Sequence, residues 1–354
     1  MNYILLIVVT IIAFSTHLLA QTSISNAIDG IEHSGELRFG AVRTKDESGT
    51  KLTTLSMGGK VSLETKPISG ISLVGTLFTT NPIFGKREDG MFLNSHQEGY
   101  SIAGESYLKA NFAKTIIKAG RQIIDTPYAD SDDIGIIPNT FEGYSLVNSD
   151  AEGTTVILAL LDKWSGIDAP TPEKFTKMQS SKDAVFTAGI IIKGQENTTL
   201  QAWHYKLDNA NFNYGEISYE ADTFNMAIQY TDQDDSNRAY GISLGGRVDN
   251  LNITIAYNSV DGRVSNGFGG GPFFTSAEDH TIADVKDQKA KMYGAEYNLD
   301  KITLGATHVD LDKGEDETDY IASFQVNKNH TLDLIYSDMY DDGNIVRFFA
   351  NYQF

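Results

Sequence analysis

A strict alternation of apolar and polar side chains recurs along most of the chain and constrains the fold more than any other feature. In residues 53–64, for example, Met57 and Val61 point to one side of an extended chain, whereas Ser56 and Lys60 point to the other. Alternation with period two is typical of strands that have one face in an apolar environment. After the N-terminus we find no segment with the period of an amphipathic helix. The chain is therefore predicted to be an all-β protein.

The alternating segments predict about 18 strands, an even number, each about 8–12 residues long, which suits a tilted strand that crosses a bilayer. They are placed near 36–43, 53–64, 70–78, 100–110, 114–121, 142–149, 153–161, 184–193, 198–207, 212–220, 223–232, 238–248, 251–259, 291–299, 302–310, 318–327, 330–338 and 345–354.

The predicted connections are sorted by length. Every second one is short, whereas the long ones all belong to the other set, at residues 79–99, 122–141, 162–183 and 260–290. Short turns at one rim and long loops at the other are typical of an antiparallel transmembrane β-barrel. A soluble β-sandwich is the alternative, but it has no reason to sort its loops in this way.

The last predicted strand supports a barrel. Val346, Phe348, Ala350, Tyr352 and Phe354 share one face, and the final residue is aromatic. This ending resembles the C-terminal signature by which bacterial outer-membrane barrels are recognised for assembly.

The composition excludes several classes of protein. The 28 Lys and Arg residues face 47 Asp and Glu residues, which gives a net charge of −19 and argues against a nucleic-acid partner. The chain has no cysteine, and its seven histidines form no metal-binding pattern, so we predict no metal and no cofactor. A mean hydropathy of −0.25 suits strands that are apolar on one face only. The glycine-rich segment Gly267–Pro272 lacks the ending of a phosphate-binding loop and is interpreted as a flexible loop tip.

The N-terminus predicts export. Residues 3–20 are almost entirely apolar, and polar sequence begins at Gln21. We interpret residues 1–20 as a cleaved signal peptide and residues 21–354 as a single barrel domain. An uncleaved anchor helix is the alternative, because Leu18 stands where a small residue is usual before a cleavage site.

The connection at residues 122–141, the third one at the long-loop rim, is the candidate functional loop. Its neighbourhood contains Gly120-Arg121, Asp133, Pro138 and Thr140-Phe141-Glu142-Gly143. These residues, together with the segment Gln201–Tyr205, resemble the OprD-type outer-membrane porins. The resemblance implies an 18-stranded barrel whose third loop folds inward as an eyelet. It further implies an outer-membrane channel for passive diffusion of small hydrophilic solutes and ions, including amino acids or small carboxylates, in a monomer or loose homotrimer.

One residue departs from the family pattern. Gly135 stands where these porins have an arginine in the third-loop motif, so the basic contact of the eyelet is missing at that position. The residues that we assign to the constriction loop are acidic: Asp130, Asp132, Asp133 and Glu142. Because charged rings at a constriction set ion preference, we predict a preference for cations or zwitterions.

Strand parity also predicts a set of basic residues that face the lumen: Arg38, Lys60, Lys109, Lys118, Arg247 and Arg347. In the family such an inward row guides the carboxylate of the solute. The alternative is that they are scattered, solvated residues of the pore wall.

The predicted partners are outer-membrane lipid, lipopolysaccharide and small hydrophilic solutes, in the bacterial outer membrane. An enzymatic role is not predicted. Two other functions remain open at this point, namely an outer-membrane barrel hydrolase and a structural barrel that does not conduct.

Overall fold

The computed structural model describes residues 26–86, 91–132, 134–180, 183–194, 197–234 and 236–354. The regular secondary structure of these residues is almost entirely β, with a helical turn at residues 26–29 and one short 3₁₀-helix at Tyr340–Asp342. The strands are β1 (Glu32–Lys45), β2 (Lys51–Glu64), β3 (Ile71–Lys86), β4 (Tyr100–Phe112), β5 (Thr115–Gln122), β6 (Thr140–Asn148), β7 (Thr154–Ser165), β8 (Thr176–Lys177), β9 (Val185–Lys193), β10 (Thr198–Lys206), β11 (Asn211–Glu220), β12 (Phe224–Gln233), β13 (Asn237–Val248), β14 (Leu251–Asp261), β15 (Lys289–Leu299), β16 (Ile302–Leu311), β17 (Glu317–Asn327), β18 (His330–Asp338) and β19 (Asn344–Gln353). The predicted signal peptide, residues 1–20, lies outside the described residues.

The sheet closes on itself. Every strand pairs antiparallel with its neighbour, and β19 pairs with β1 from Glu36↔Gln353 to Lys45↔Asn344. The two-residue strand β8 adds only to the end of β7, whereas β7 continues the barrel through β9. The structure is therefore a closed barrel of 18 strands with one short extra strand, which confirms the predicted architecture. Within the described ranges, no helix is long and apolar enough to cross a membrane.

The two faces of the wall differ as the alternation predicts. On β13, Tyr240, Ile242 and Leu244 are exposed on the outer surface, whereas Ala239 is buried on the inner side. The same contrast recurs around the barrel, so a band of large apolar side chains surrounds it. Such a band suits a bilayer, in which every backbone polar group must be paired within the sheet.

The loops are sorted by length between the two ends of the barrel. One end has only short turns, such as Asp249–Asn250, and the other carries the long loops. We number the connections at the long-loop end from the N-terminus, so that loop 2 is residues 87–99, loop 3 is 123–139, loop 4 is 166–184 and loop 7 is 262–288. Strand β3 continues eight residues past its predicted end at position 78, because pairing with β2 extends from Thr79 to Lys86.

Part of the hydrophobic core lies inside the barrel. Inward-facing Val42, Phe78 and Phe349 pack against Phe92 of loop 2 and Ile136 of loop 3. Loop 3 is therefore folded into the lumen, as predicted.

Candidate functional site

Loop 3 crosses the lumen from one wall to the other. Near its start, the ring of Tyr128 packs edge-on against Tyr205, Phe212 and Tyr214, and its hydroxyl donates to Thr231 Oγ1 at 2.5 Å. These partners lie on β10, β11 and β12. Further along the loop, the carbonyl oxygen of Gly135 accepts a hydrogen bond from Arg38 on β1, on the opposite wall. The loop is thus fixed at both sides of the pore.

Loop 7 is docked on loop 3. Ala129 and Phe268 form a parallel β-bridge, and the Asp130 carboxylate accepts hydrogen bonds from the backbone N–H groups of Gly270 and Gly271 at 3.3 and 3.2 Å. At Gly269 the φ angle is +132°, and a Cβ atom there would lie 2.4 Å from Asp130 Oδ1. The glycine-rich segment that we interpreted as a flexible tip is therefore one half of a loop–loop contact, and its glycines permit the close approach.

A second part of loop 7 is fixed to the wall. The Glu317 carboxylate on β17 accepts hydrogen bonds from the N–H groups of Asp279 and His280, at 3.0 and 2.7 Å. Asp319, also on β17, accepts from the N–H group of Glu278 at 3.3 Å. Two wall carboxylates therefore hold three consecutive backbone amides of the loop.

Loops 3 and 7 and the wall enclose a cavity of about 190 Å³. We call this region the eyelet and define it by its lining residues: Arg38, Ile134, Glu278, Asp333, Ile335, Arg347, Phe349 and Asn351. The wall residues come from β1, β18 and β19, which are adjacent across the seam of the barrel.

The two arginines of the eyelet are held by protein groups. Arg38 donates to Glu36 at 3.0 Å, to Asn351 at 2.9 Å and to the Gly135 carbonyl at 2.7 Å. Arg347 is 2% exposed and forms an ion pair with Asp279 of loop 7. Both cations thus have a carboxylate partner and also tie a loop to the wall.

Two carboxylates of the eyelet have no cationic partner within the described residues. Asp333 accepts a hydrogen bond from Asn351 at 3.0 Å, and among the described residues neither Asp333 nor Glu278 forms an ion pair. Burial, reinforced by the neighbouring Asp319, raises the pKa of Glu278. The eyelet therefore presents two carboxylates without an ion pair, although the charge of Arg347 opposes the pKa shift of Glu278.

The predicted acidic residues lie in different environments. Asp130 is engaged by loop 7, and burial raises its pKa although three backbone amides oppose that shift. Asp132 is half-buried next to it in loop 3, and Asp133 lies outside the described residues. Glu142 is on β6, on the face of outward-pointing Tyr144, and forms ion pairs with Arg121 at 3.0 Å and Lys163 at 2.7 Å.

The predicted basic residues divide into groups. Arg38 and Arg347 meet at the eyelet, and Lys60 lies 3.5 Å from Glu36 beside them. Lys109 pairs with Glu64 at 3.0 Å.

Two of the predicted basic residues lie apart from the eyelet. Lys118 stands opposite Lys109 in the register, with its ammonium 4.9 Å from the ring centroid of Tyr107. Arg247 lies near the short-turn end, where it lines a wider cavity of about 550 Å³ with residues of β11 to β17.

Sequence reasoning did not single out Glu278, Asp333 or Asn351. Strand parity places Asp333 and Asn351 on the inner face, which is a usable signal. No sequence signal places Glu278, because its position depends on long-range contacts of loop 7.

Comparison with known proteins identifies the family. The model of the family described as "outer membrane porin, OprD family" matches residues 83–311, which is more than half of the chain. The chain belongs to the OprD family of outer-membrane porins. Comparison with the curated protein sequences gave no match.

Solved structures share the fold of this OprD-family porin. OccK8 (OprE) of Pseudomonas aeruginosa is 14% identical and has a TM-score of 0.78, with 93% of this chain and 99% of that chain covered. OpdK of the same organism, solved with vanillate, is 14% identical with a TM-score of 0.79 and coverages of 92% and 99%. OccAB2 of Acinetobacter baumannii is 15% identical with a TM-score of 0.79 and coverages of 93% and 99%.

The absence of the family's arginine at position 135 can be related to the surroundings of Gly135 in this porin. A Cβ atom at Gly135 would lie 2.9 Å from the carbonyl oxygen of Met91, so a side chain has little room there. The guanidinium of Arg38, which comes from the wall, instead reaches the backbone of Gly135. A basic group thus stands beside the loop although the loop itself carries none at that position.

Proposed function

We propose that this porin passes small cations and zwitterions, with amino acids as the solute class that fits best. The observation that carries the proposal is the pair of uncompensated carboxylates, Glu278 and Asp333, at the eyelet. An ammonium group can approach them, while the bound arginines Arg38 and Arg347 remain close enough to attract the carboxylate of a zwitterion.

The count of charges supports a negative eyelet. The positive charges number three, from Arg38, Arg347 and nearby Lys60. The negative charges number four, from Glu36, Asp279, Glu278 and Asp333.

The test is a reversal potential across a planar bilayer that holds the purified full-length protein in a gradient of potassium chloride. We expect stepwise ohmic channels that prefer potassium to chloride. Replacement of both carboxylates, as in Glu278→Gln with Asp333→Asn, is expected to move the reversal potential towards zero. A clear preference for chloride would overturn the solute class, and the absence of channels would overturn the transport function itself.

A carboxylate channel is the second candidate, because Lys118 forms no ion pair within the described residues and faces the lumen beside Lys109. OpdK, a structural neighbour, was solved with vanillate, whose charged group is a carboxylate. Competition distinguishes the two candidates: a zwitterionic amino acid is expected to block potassium current through the eyelet, and vanillate is not.

The proposal also covers the setting of the protein. The family is one of outer-membrane β-barrels. We propose that residues 1–20 are removed as a signal peptide, that lipopolysaccharide and membrane lipid surround the barrel, and that it works as a monomer or loose homotrimer without a catalytic role. N-terminal sequencing of the membrane-extracted protein tests the cleavage, and chemical cross-linking in whole cells tests the oligomeric state.

A further inference from the structure

A group of cations lies on the outer surface of the barrel, at the end that carries the long loops. Arg43, Lys45 and Lys51 are exposed and point outward from β1 and β2, and the register places Lys45 directly opposite Lys51. Their outward direction follows from parity, because Val42 and Thr54 on the same strands are buried on the inner side. Among the described residues, none of the three forms an ion pair.

Several other outward-facing cations of the same rim are paired with carboxylates. Arg238 lies 3.2 Å from Asp232, and Lys291 lies 3.0 Å from Asp310. Arg121 and Lys163 share a carboxylate in the same way. The surface on β1 and β2 therefore differs from these pairs in having three neighbouring cations with no carboxylate of the described residues between them.

The acidic residues of loop 1 (residues 46–50) do not remove this charge. The Asp46 carboxylate accepts hydrogen bonds from Ser48 Oγ at 2.7 Å and from the N–H group of Thr50 at 2.9 Å. These hydrogen bonds, chiefly the one from Ser48, lower the pKa of Asp46. The ionised carboxylate therefore stabilises the turn of loop 1. Glu47 is exposed at the tip of the loop, on the far side of Lys45 from Arg43.

The polarity of this surface changes in steps along the strands. Leu55 and Phe84 lie side by side at the lower level, and Phe84 is 74% exposed. Arg43 stands one outward step higher, and the pair Lys45 and Lys51 stands one step above it. The three levels together span about 13 Å. Apolar side chains followed by cations over this distance match the boundary between acyl chains and an anionic headgroup.

We propose that this surface binds the phosphorylated headgroup of lipopolysaccharide, with the phosphates on Arg43, Lys45 and Lys51 and an acyl chain against Phe84. The inference rests on the outer-membrane location given under the proposed function. A phosphate has several acceptor oxygens, which the guanidinium of Arg43 and the two ammonium groups can share. The exposed ring of Phe84 adds apolar area at the depth where the acyl chains begin.

Native mass spectrometry of the full-length barrel in detergent, titrated with bisphosphorylated lipid A, tests this site. We expect the triple variant Arg43→Gln, Lys45→Gln and Lys51→Gln to bind lipid A about a hundredfold more weakly than the parent, since each basic residue near an anionic lipid surface contributes about a fivefold factor. The matched control is Lys206→Gln, Arg238→Gln and Lys291→Gln, which removes the same charge from β10, β13 and β15. The control is expected to bind within about twofold of the parent.

Two further measurements separate the sources of binding. Phe84→Ser is expected to weaken binding of lipid A and to leave binding of inorganic phosphate unchanged. Equal losses in the triple variant and its control would overturn the site, as would full competition by inorganic phosphate, which would indicate a free-anion site. Single-channel conductance is recorded on the same samples. If lipid binding is lost in both variants while channels persist, this inference fails and the proposed function stands. If lipid binding persists without channels, the proposed function fails and this inference stands.

Discussion

At the scale of single residues, the eyelet depends on which charged groups have partners. Arg38 is bound by Glu36, Asn351 and the backbone of loop 3, and Asn351 in turn donates to Asp333. A cation, an amide and a carboxylate thus follow one another across three adjacent strands. Asp333, at the end of this series, forms no ion pair among the described residues and lines the eyelet.

The first prediction concerns the pH dependence of selectivity. Burial and Asp319 raise the pKa of Glu278 above the 4.5 of an ordinary glutamate. A raised pKa means that the carboxylate takes up its proton at a higher pH, so acidification removes this negative charge early. We expect the preference for potassium over chloride to fall with a midpoint above pH 4.5. Reversal potentials measured over a pH series check this, and Glu278→Gln is expected to remove that transition; an unchanged titration in this variant would contradict the assignment.

The second prediction concerns Arg38. Arg38→Gln removes one positive charge from the eyelet and the hydrogen bond to Gly135. A unit charge about 5 Å from the ion path in water contributes about 0.8 kcal/mol, with opposite sign for potassium and chloride, so the permeability ratio of potassium to chloride is expected to rise by roughly an order of magnitude. Arg247→Gln is the control, because Arg247 lines the other cavity and is expected to leave the ratio at the eyelet unchanged. Equal effects of both substitutions would contradict a local role for Arg38.

At the scale of elements, loops 3 and 7 form one unit. Tyr128 fixes loop 3 to the far wall, and the Asp130 carboxylate fixes loop 7 to loop 3. Glu317 and Asp319 hold the other part of loop 7. The constriction therefore depends on loop 7 as much as on the loop that the family motif marks.

The third prediction tests this unit. Gly269→Val places a Cβ atom where the Asp130 carboxylate lies and forces a valine into a positive φ angle. The two amide–carboxylate bonds contribute about 1.5–3 kcal/mol each, so their loss is expected to release loop 7 and increase both the conductance and the noise of the open channel. Gly246→Val is the control, because a Cβ atom there has no neighbour within 4 Å. A conductance equal to that of the parent, in a protein that still folds, would contradict the role of loop 7.

The sequence predicted the wall well and the eyelet only in part. Alternation defines a strand locally, so β13 and β14 begin and end within two residues of the predicted bounds. Loop contacts are not local, because Asp130 and Gly270 are 140 residues apart. Parity alone correctly indicates that Asp333 faces inward. It cannot show that Asp333 forms no ion pair, because that depends on Arg38 and Arg347 pairing with Glu36 and Asp279 instead.

At the scale of the whole molecule, the barrel is a wall with two chemically different faces. The outer face has to be apolar in the bilayer, whereas the inner face meets water and solute. Neighbouring residues of one strand are therefore subject to opposite constraints.

The fourth prediction uses two neighbours on β13. Ile242 faces outward near the middle of the wall and Ser243 faces inward. Ile242→Lys is expected to lower the free energy of unfolding by about 2–4 kcal/mol, and Ser243→Lys to change it by less than about 1 kcal/mol. Urea unfolding in lipid vesicles, followed by the heat-dependent shift in gel migration, measures both. Similar losses for the two variants would contradict the assignment of the faces.

The seam between β1 and β19 has a consequence for how the protein is made. The backbone of Phe354, the last residue, both donates to and accepts from Gly35 near the start of the first strand, at 3.1 and 3.0 Å. The seam therefore cannot be completed until β19 has been synthesised, and its contacts join parts of the chain that are far apart in sequence. Contacts of such high sequence separation form slowly. While the chain travels to its membrane, the edges of β1 and β19 are unpaired and can pair with the wrong strands. The topology therefore requires that other proteins protect the chain during transit.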